Sequence, residues 1–235
     1  MAAYISFQPS DFFSTKLYTG TGSSNAITGV GFQPDFTWIK NRSAADNHML
    51  FDSPRGATKY IHSNLTTAET TQAESLKTFD SDGFTVGTYG DVNTNTENYA
   101  SWNWKAGTTS GLSGGTITPT AYSFNTTSGI SIIQYDGNST SGATLAHGLG
   151  AAPTMVWVKS LDSGDDWAVG HSAIGWTKYL KFNSTGAVST YTGIWNDTTP
   201  SSTVVTIGNN AIVNTATTRG YIMYAFAEKT GYSKF

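Results

Sequence analysis

Histidines and cysteines are the first residues to inspect for metal or nucleophilic chemistry. The chain has four histidines and no cysteine, so thiolate metal sites and a cysteine nucleophile are excluded. His48, His62, His147 and His171 are scattered and lack the spacing of metal ligands. We expect surface or hydrogen-bonded histidines, and we predict no metal site.

Acidic residues cluster in two loops, Asp80–Gly83 and Asp162–Asp166. Carboxylates grouped on a loop are typical of calcium sites, although neither loop ends with the glutamate of an EF-hand. Asp, Ser and Gly also form tight turns, which is the interpretation that we prefer. The sequence leaves calcium binding at these loops open.

Motifs typical of enzymes are missing from the sequence. No pair of facing carboxylates can be nominated, and the chain has no Gly-x-Ser-x-Gly nucleophile motif. Gly29–Gly31 and Gly148–Gly150 resemble phosphate-binding turns, but a proline follows each of them where a helix should begin. We therefore predict a protein that is not an enzyme and that binds no cofactor.

Aromatic residues are the remaining candidates for recognition. Three aromatic side chains are not shared by the two halves of the chain: Trp176 replaces Ala57 of the other copy, Trp195 lies in a loop-like segment, and Tyr191 lies in a segment without a matched partner. A ring in such a position can offer an exposed platform to the C–H face of a sugar, while neighbouring Asn, Asp and Ser bind the hydroxyls. These three residues are the predicted glycan-binding site, with burial of the rings as the alternative.

The sequence of the elements that would position these residues is repeated within the chain. Gly29–Lys40 returns as Gly148–Lys159, at a spacing of 119 residues (148 minus 29). Ala57–Tyr60 returns at the same spacing as Trp176–Tyr179. In both copies a Gly/Pro turn leads into aromatic and β-branched residues that favour a strand. We infer an internal duplication.

Short strand-like runs separated by Gly, Ser, Thr and Asn predict the fold class. We expect an all-β protein of two tandem, related antiparallel β-sandwich modules, of jelly-roll or lectin-like type. One short helix is predicted at Thr66–Leu76, because Thr66 and Glu69 have the spacing of a capping box. Trp102 and Trp104 alternate with period two and therefore share one face of a strand, which we assign to the core.

Changes in composition predict the domain boundaries. We expect an N-terminal arm at residues 1–16, a first sandwich repeat at 17–106, a linker at 107–128 and a second repeat at 129–235. The linker is assigned because it contains a run of Gly, Ser and Thr.

The N-terminal arm contains four aromatic residues, Tyr4, Phe7, Phe12 and Phe13, and has no equally good counterpart before the second repeat. So much apolar surface should be covered, either by the arm's own domain or by a neighbouring subunit. We predict an assembly arm and a homo-oligomer.

Charge and hydropathy restrict the partners. A net charge of −3 gives no field that would attract a phosphate backbone, so we expect no nucleic-acid partner. No apolar run is long enough for a membrane helix, and the first residues do not have the pattern of a secretory signal. We expect a soluble protein without membrane insertion.

Several motifs together resemble a known family. The chain is similar to duplicated domains in virion proteins of marine tailed bacteriophages, whose members are described as tail-fibre-like and are expected to have a lectin-like β-sandwich. The resemblance covers nearly everything from Tyr4 to Phe235. It is based on Lys16–Gly22, Gly31–Arg42, Asp52–Tyr60, Phe79–Phe84 and His147–Pro153.

The resemblance implies location in a virion and a non-enzymatic structural role, as a tail fibre or head decoration that contacts other virion proteins. No catalytic residue follows from it. The alternative is a host-attachment module, a lectin-like adhesin that binds a glycan or receptor on the host surface. Display and binding can coexist in one protein, and the sequence does not separate them.

Overall fold

The computed structural model describes residues 7–215 and 218–235. It divides into two compact units. Of the described residues, the first module consists of 7–64 together with Glu69–Ala106, and the second consists of Gly107–Phe235 together with Leu65–Ala68. The described part of the chain is nearly all β, with antiparallel pairing between the named strands.

The first module begins with a single 3-10 turn and contains a six-stranded sheet of order β1-β9-β3-β4-β5-β6 and a three-stranded sheet of order β2-β8-β7. Its elements are the 3-10 turn Pro9–Asp11, β1 Phe13–Thr19, β2 Asn25–Ile27, β3 Phe36–Asn41, β4 Met49–Asp52, β5 Lys59–His62, β6 Thr70–Thr71, β7 Leu76–Asp80, β8 Gly83–Val86, α1 Gly90–Asn93 and β9 Asn98–Trp104.

The second module contains a five-stranded sheet of order β10-β11-β18-β13-β14 and the two-stranded sheets β12-β17 and β15-β16. Its elements are β10 Ala121–Asn125, β11 Ile130–Asp136, β12 Ala143–Ala146, β13 Met155–Ser160, β14 Ala168–His171, β15 Lys178–Tyr179, β16 Ser189–Thr190, α2 Thr192–Trp195, β17 Val204–Ile207 and β18 Gly220–Phe226.

Each module is a sandwich because two sheets bury apolar residues against one another. In the first module, Ile27 and Phe84 of the smaller sheet and Ile39 and Phe51 of the larger sheet belong to one core cluster. The second module repeats this arrangement with the following residues of β12, β17, β11 and β13: Leu145, Val205, Ile133 and Val156.

The strand order is shared between the modules. The run β1-β9-β3-β4 corresponds to β11-β18-β13-β14, the pair β2-β8 to β12-β17, and the pair β5-β6 to β15-β16. Two strands have no counterpart among the described residues: β7, which extends the small sheet of the first module, and β10, which covers the edge of β11 in the second.

A buried asparagine organises the same loops in each module. Asn93 and Asn214 are fully buried, and each uses its whole side-chain amide to hold backbone groups that would otherwise lack partners. The Oδ1 atom of Asn93 accepts from Thr21 N at 2.9 Å, and its Nδ2 donates to Gly87 O at 2.6 Å. The equivalent bonds of Asn214 are to Asn138 N at 2.7 Å and to Gly208 O at 3.0 Å.

A stacked tyrosine pair accompanies each asparagine. Tyr18 stacks on Tyr99 with ring centroids 5.1 Å apart, and Tyr135 stacks on Tyr221 at 5.3 Å. The hydroxyls of Tyr18 and Tyr135 each donate to a backbone carbonyl at 2.7 Å, that of Val92 or Val213. The two modules therefore share polar contacts as well as strand order.

The helix predicted at Thr66–Leu76 is wrong. Thr70–Thr71 forms β6 and Leu76 begins β7. Gln72 N donates to Thr58 O at 2.8 Å, so this segment bonds across to another strand instead of to itself. The capping-box spacing was a weak signal, because tertiary pairing overrides local helix propensity. The two helices of the described residues are the single turns α1 and α2.

The segment 107–128 is not a flexible linker throughout. It contains β10, which pairs with β11 along its whole length. It also places Ile117 in the core of the second module. The first strand begins at Phe13, before the predicted boundary at residue 17. Within the described residues, no helix has the length and apolar character needed to cross a membrane.

Candidate functional site

Neighbouring strands of the first module bring aromatic residues together on one face of the large sheet. β3 lies beside β9 in a register that places Trp38 opposite Trp102 and Phe36 opposite Trp104. β1 lies on the other side of β9 and places Phe13 opposite Trp104. Because successive side chains point to opposite faces, these rings lie away from the core residue Ile39.

This face of the sheet contains a cleft of about 330 Å³ with an almost entirely apolar surface. The cleft is lined by Trp38, Trp102, Trp104 and His48. The Trp38 and Trp102 rings meet edge to face, with centroids 6.2 Å apart. Trp104 is held from behind by Phe36, whose ring stacks on it at 4.9 Å. All three tryptophans are half-buried, so each ring keeps an accessible surface. We call this feature the aromatic cleft.

His48 fixes the orientation of one wall of the aromatic cleft. Trp38 Nε1 donates a hydrogen bond of 3.1 Å to His48 Nδ1. Burial lowers the pKa of His48, and the nearby charge of Lys40 lowers it further. Both effects favour the neutral imidazole, which alone can accept this bond at Nδ1.

In the second module, a further ring covers the residues that correspond to Trp38 and His48. Trp157 corresponds to Trp38 and Trp167 to His48, at the spacing of 119 residues. Phe182 packs on both rings, 4.8 Å from Trp157 and 5.5 Å from Trp167. The residue that corresponds to Phe182 in the first module is Ser63. The second module thus has a phenylalanine against these rings where the first module has a buried serine.

The predicted glycan-binding residues do not form a platform. Trp176 is 6% exposed and Trp195 is fully buried, and their rings pack edge to face in the core of the second module with centroids 5.6 Å apart. Gly170 makes room for both rings, because a Cβ atom there would lie 2.5 Å from Trp176. The prediction of exposed rings is therefore wrong for these two tryptophans. Tyr191 is 49% exposed.

The predicted assembly arm is divided between two environments. Phe13 belongs to β1, where its ring lies 5.0 Å from that of Trp104. Phe7 and Phe12 contact one another edge to face at 5.2 Å, around the 3-10 turn. Tyr4 lies outside the described residues. The aromatic run is therefore partly a structural strand.

In the first of the two acidic loops, Asp82 has a structural role. Its carboxylate accepts hydrogen bonds from Gly31 N at 2.6 Å and from Gly29 N at 2.9 Å. These two bonds, that of Gly31 first, lower the pKa of Asp82. The carboxylate thus holds the Gly/Pro turn, in agreement with the turn interpretation. Within 7–215 and 218–235, no group of three or more His, Asp or Glu residues has metal-binding geometry.

Sequence reasoning assigned Trp102 and Trp104 to the core and so missed the aromatic cleft. The signal lay in the difference between the copies. Position 63 is serine whereas position 182 is phenylalanine, beside a tryptophan that both copies have, Trp38 and Trp157. An aromatic residue that is present in only one copy beside this tryptophan indicates a difference in how the ring is covered.

Comparison with known families places this chain in one of them. Residues 8–235 match the model of DUF7483, a domain of unknown function, and the chain belongs to that family. The match spans both modules. No curated protein and no solved structure matches the chain.

Proposed function

We propose that this protein is a non-enzymatic binding protein that recognises a saccharide through the aromatic cleft of its first module. The observation that supports this proposal is the set of three half-buried tryptophans lining an apolar cleft of about 330 Å³. A cleft of that size accommodates a sugar residue or two, since small-molecule sites begin at about 300 Å³.

The chemistry of the cleft suits a ligand with an apolar face and a polar rim. The C–H face of a pyranose packs on an indole, whose face carries partial negative charge. His48 Nε2 can hydrogen-bond a hydroxyl of the ligand, because the bond from Trp38 Nε1 uses the other ring nitrogen, Nδ1. Edge-to-face contact between Trp38 and Trp102 forms a corner, so that a ring can contact two indoles at once.

The test is a glycan array of immobilised mono- and oligosaccharides, followed by titration calorimetry with the saccharide of highest signal. Trp102→Ala removes one wall of the cleft and should weaken binding about tenfold, the value of one good aromatic contact. Thermal unfolding of the variant would establish that the protein still folds.

Tyr191→Ala is the matched control. Tyr191 is an exposed aromatic residue of the second module, 49% accessible, and its loss should leave affinity unchanged. Binding that survives Trp102→Ala but disappears with Tyr191→Ala would overturn the proposal, as would the absence of any bound saccharide on the array.

A second candidate function is the structural role that the phage resemblance implies. We propose that the chain is displayed on a virion, as a tail fibre or head decoration, and assembles with other virion proteins and with itself. The uncovered edge of β1 in the first module favours an assembled protein over a monomer, because such an edge can pair with another strand. Immunogold labelling of purified particles with an antibody to this chain would test it, and unlabelled particles would contradict it.

A further inference from the structure

The outer edge of β1 is uncovered within the described part of the chain. β1 stands at the end of its sheet and pairs only with β9. Its counterpart β11 lies inside its sheet, between β10 and β18. The same strand is thus covered in the second module and uncovered in the first, and an uncovered edge presents backbone donors and acceptors to another strand.

The chain contains a second copy of the sequence that covers β11. β1 begins at residue 13 and β11 at residue 130, a spacing of 117 residues (130 minus 13). At that spacing Tyr4–Gln8, which reads Tyr-Ile-Ser-Phe-Gln, corresponds to β10, which reads Ala-Tyr-Ser-Phe-Asn. The arm therefore does have a counterpart before the second repeat, contrary to the expectation from sequence.

The turn that returns β10 to β11 depends on a glycine. Gly129 has φ +73°, and a Cβ atom there would lie 2.3 Å from Ala227 O. Gly129 N closes the turn by donating to Asn125 O at 2.9 Å. Only glycine adopts this conformation without strain, and here a side chain would also clash with the backbone.

The first module lacks that glycine. Phe12 stands at the position of Gly129 and has φ −129°, and the preceding residues form the 3-10 turn Pro9–Asp11. Phe12 keeps the equivalent anchor, because Lys105 N donates to its carbonyl at 2.9 Å, as Ala227 N does to Gly129 at 2.8 Å. The segment from Gln8 to Phe12 therefore follows a different path from that of the turn between β10 and β11.

We propose that the outer edge of β1 binds Tyr4–Gln8 of a second copy of this chain as an added antiparallel strand. The register follows from the pairing of β10 with β11, in which Ala121 lies opposite Gln134 and Asn125 opposite Ile130. Transferred to the first module, it places Tyr4 opposite Leu17 and Ser6 opposite Thr15.

Two features of the first module fit this occupant. Leu17 is 65% exposed, the most exposed of the large hydrophobic residues, and Tyr4 would lie across from it. In the second module the Phe124 ring covers Gly148, 2.7 Å from where a Cβ atom would be. Among the described residues, only the Lys16 side chain lies within 4 Å of the corresponding point at Gly29, which leaves room for Phe7.

Cysteine cross-linking tests the pairing, because the chain has no cysteine of its own. A Ser6→Cys chain and a Thr15→Cys chain are mixed and oxidised gently. Facing positions on neighbouring strands meet the distance that a disulfide requires. The expected result is a covalent dimer that contains one chain of each variant. The matched control is Ser6→Cys mixed with Thr19→Cys, which lies four residues farther along β1 and should give no dimer.

Light scattering on the unmodified chain gives a second measurement. Mass should rise with concentration above the 25.0 kDa of one chain, and Ser6→Pro, which removes a backbone donor from the incoming strand, should abolish the rise. Equal cross-linking by the control pair, an intramolecular disulfide in a Ser6→Cys/Thr15→Cys double variant, or a constant mass of one chain would overturn the proposal. None of these readouts uses saccharide binding, so the two proposals fail separately.

Discussion

The two modules share a polar framework and differ on the outer face of the large sheet. Asn93 and Asn214 hold equivalent loops with equivalent hydrogen bonds, whereas the tryptophan face is open in the first module and covered by Phe182 in the second. Recognition can therefore change through one or two covering residues, while the contacts that hold the loops stay the same.

Substitutions in the polar framework that the two modules share should have the largest effect on stability. Asn93→Ala and Asn214→Ala each leave several buried backbone groups unpaired, and each should lower the free energy of unfolding by about 3 kcal/mol. Urea unfolding of the wild type and of each variant measures this loss of free energy. Similar losses would support equivalent roles for the two asparagines. A loss in one module and none in the other would break the comparison.

Phe182→Ser should convert the second module toward the first. It removes a ring that packs on Trp157 and Trp167, and should cost about 2 kcal/mol of stability because apolar contact is lost. Quenching of tryptophan fluorescence by acrylamide should increase. The reverse change, Ser63→Phe, should fill the aromatic cleft and weaken saccharide binding. Unchanged quenching in Phe182→Ser would contradict the covering role of this ring.

Lys159 should make the stability of the second module depend on alkaline pH. Its Nζ is buried and donates to Ser160 O and Ser163 O, and burial lowers its pKa to about 8. The unfolded chain holds this proton up to its ordinary pKa of 10.5. Between these values the unfolded state binds more protons, so stability rises with pH.

The free energy of unfolding of the wild type relative to Lys159→Met should therefore rise from pH 8 to pH 10, by no more than about 1.4 kcal/mol per pH unit. Lys40→Met removes the equivalent bonds, to Asn41 O and Ala44 O, from a half-buried side chain. It is the matched variant for the loss of the two loop contacts. A relative stability that falls across this range would show that the sign is wrong.

The smallest expected effect is the dependence of saccharide affinity on pH through His48. Because burial, and then the charge of Lys40, lower the pKa of His48, the imidazole should protonate at a lower pH than an ordinary histidine. Protonation removes the acceptor for Trp38 Nε1, so saccharide affinity should fall as pH decreases. The second module has Trp167 at this position and cannot titrate there. His48→Phe should abolish the pH dependence of binding, and a dependence that persists in this variant would assign it elsewhere.

The strand pattern was readable from sequence, but the direction of the faces was not. Alternation correctly placed Trp102 and Trp104 on one side of β9. Hydrophobicity then suggested that this side faces the core, yet the buried side carries Ser101 and Asn103. Asn103 satisfies its amide with Thr37 Oγ1, Ser14 O and Ser101 Oγ, and such partners come from distant residues that a local pattern does not reveal.

Short strands and the sizes of neighbouring residues account for the remaining differences between the sequence predictions and the structure. β10 follows a Gly/Ser-rich stretch and has only five residues, so composition hid it inside a predicted linker. Trp176 and Trp195 were expected to be exposed because their rings are not repeated in the other copy, but Gly170 creates the space that buries both rings. The size of a neighbour in space decides such cases, and that neighbour is not adjacent in sequence.

The uncovered edge of β1 also has a consequence for stoichiometry. Under the strand-exchange proposal each chain donates one strand and accepts one, so donor and acceptor are different surfaces. Reciprocal exchange between two chains closes a two-fold dimer, whereas one-way exchange is head-to-tail and produces a ring when its rotation closes or a filament when it does not. A single type of contact would then suffice to set the number of subunits in the assembly.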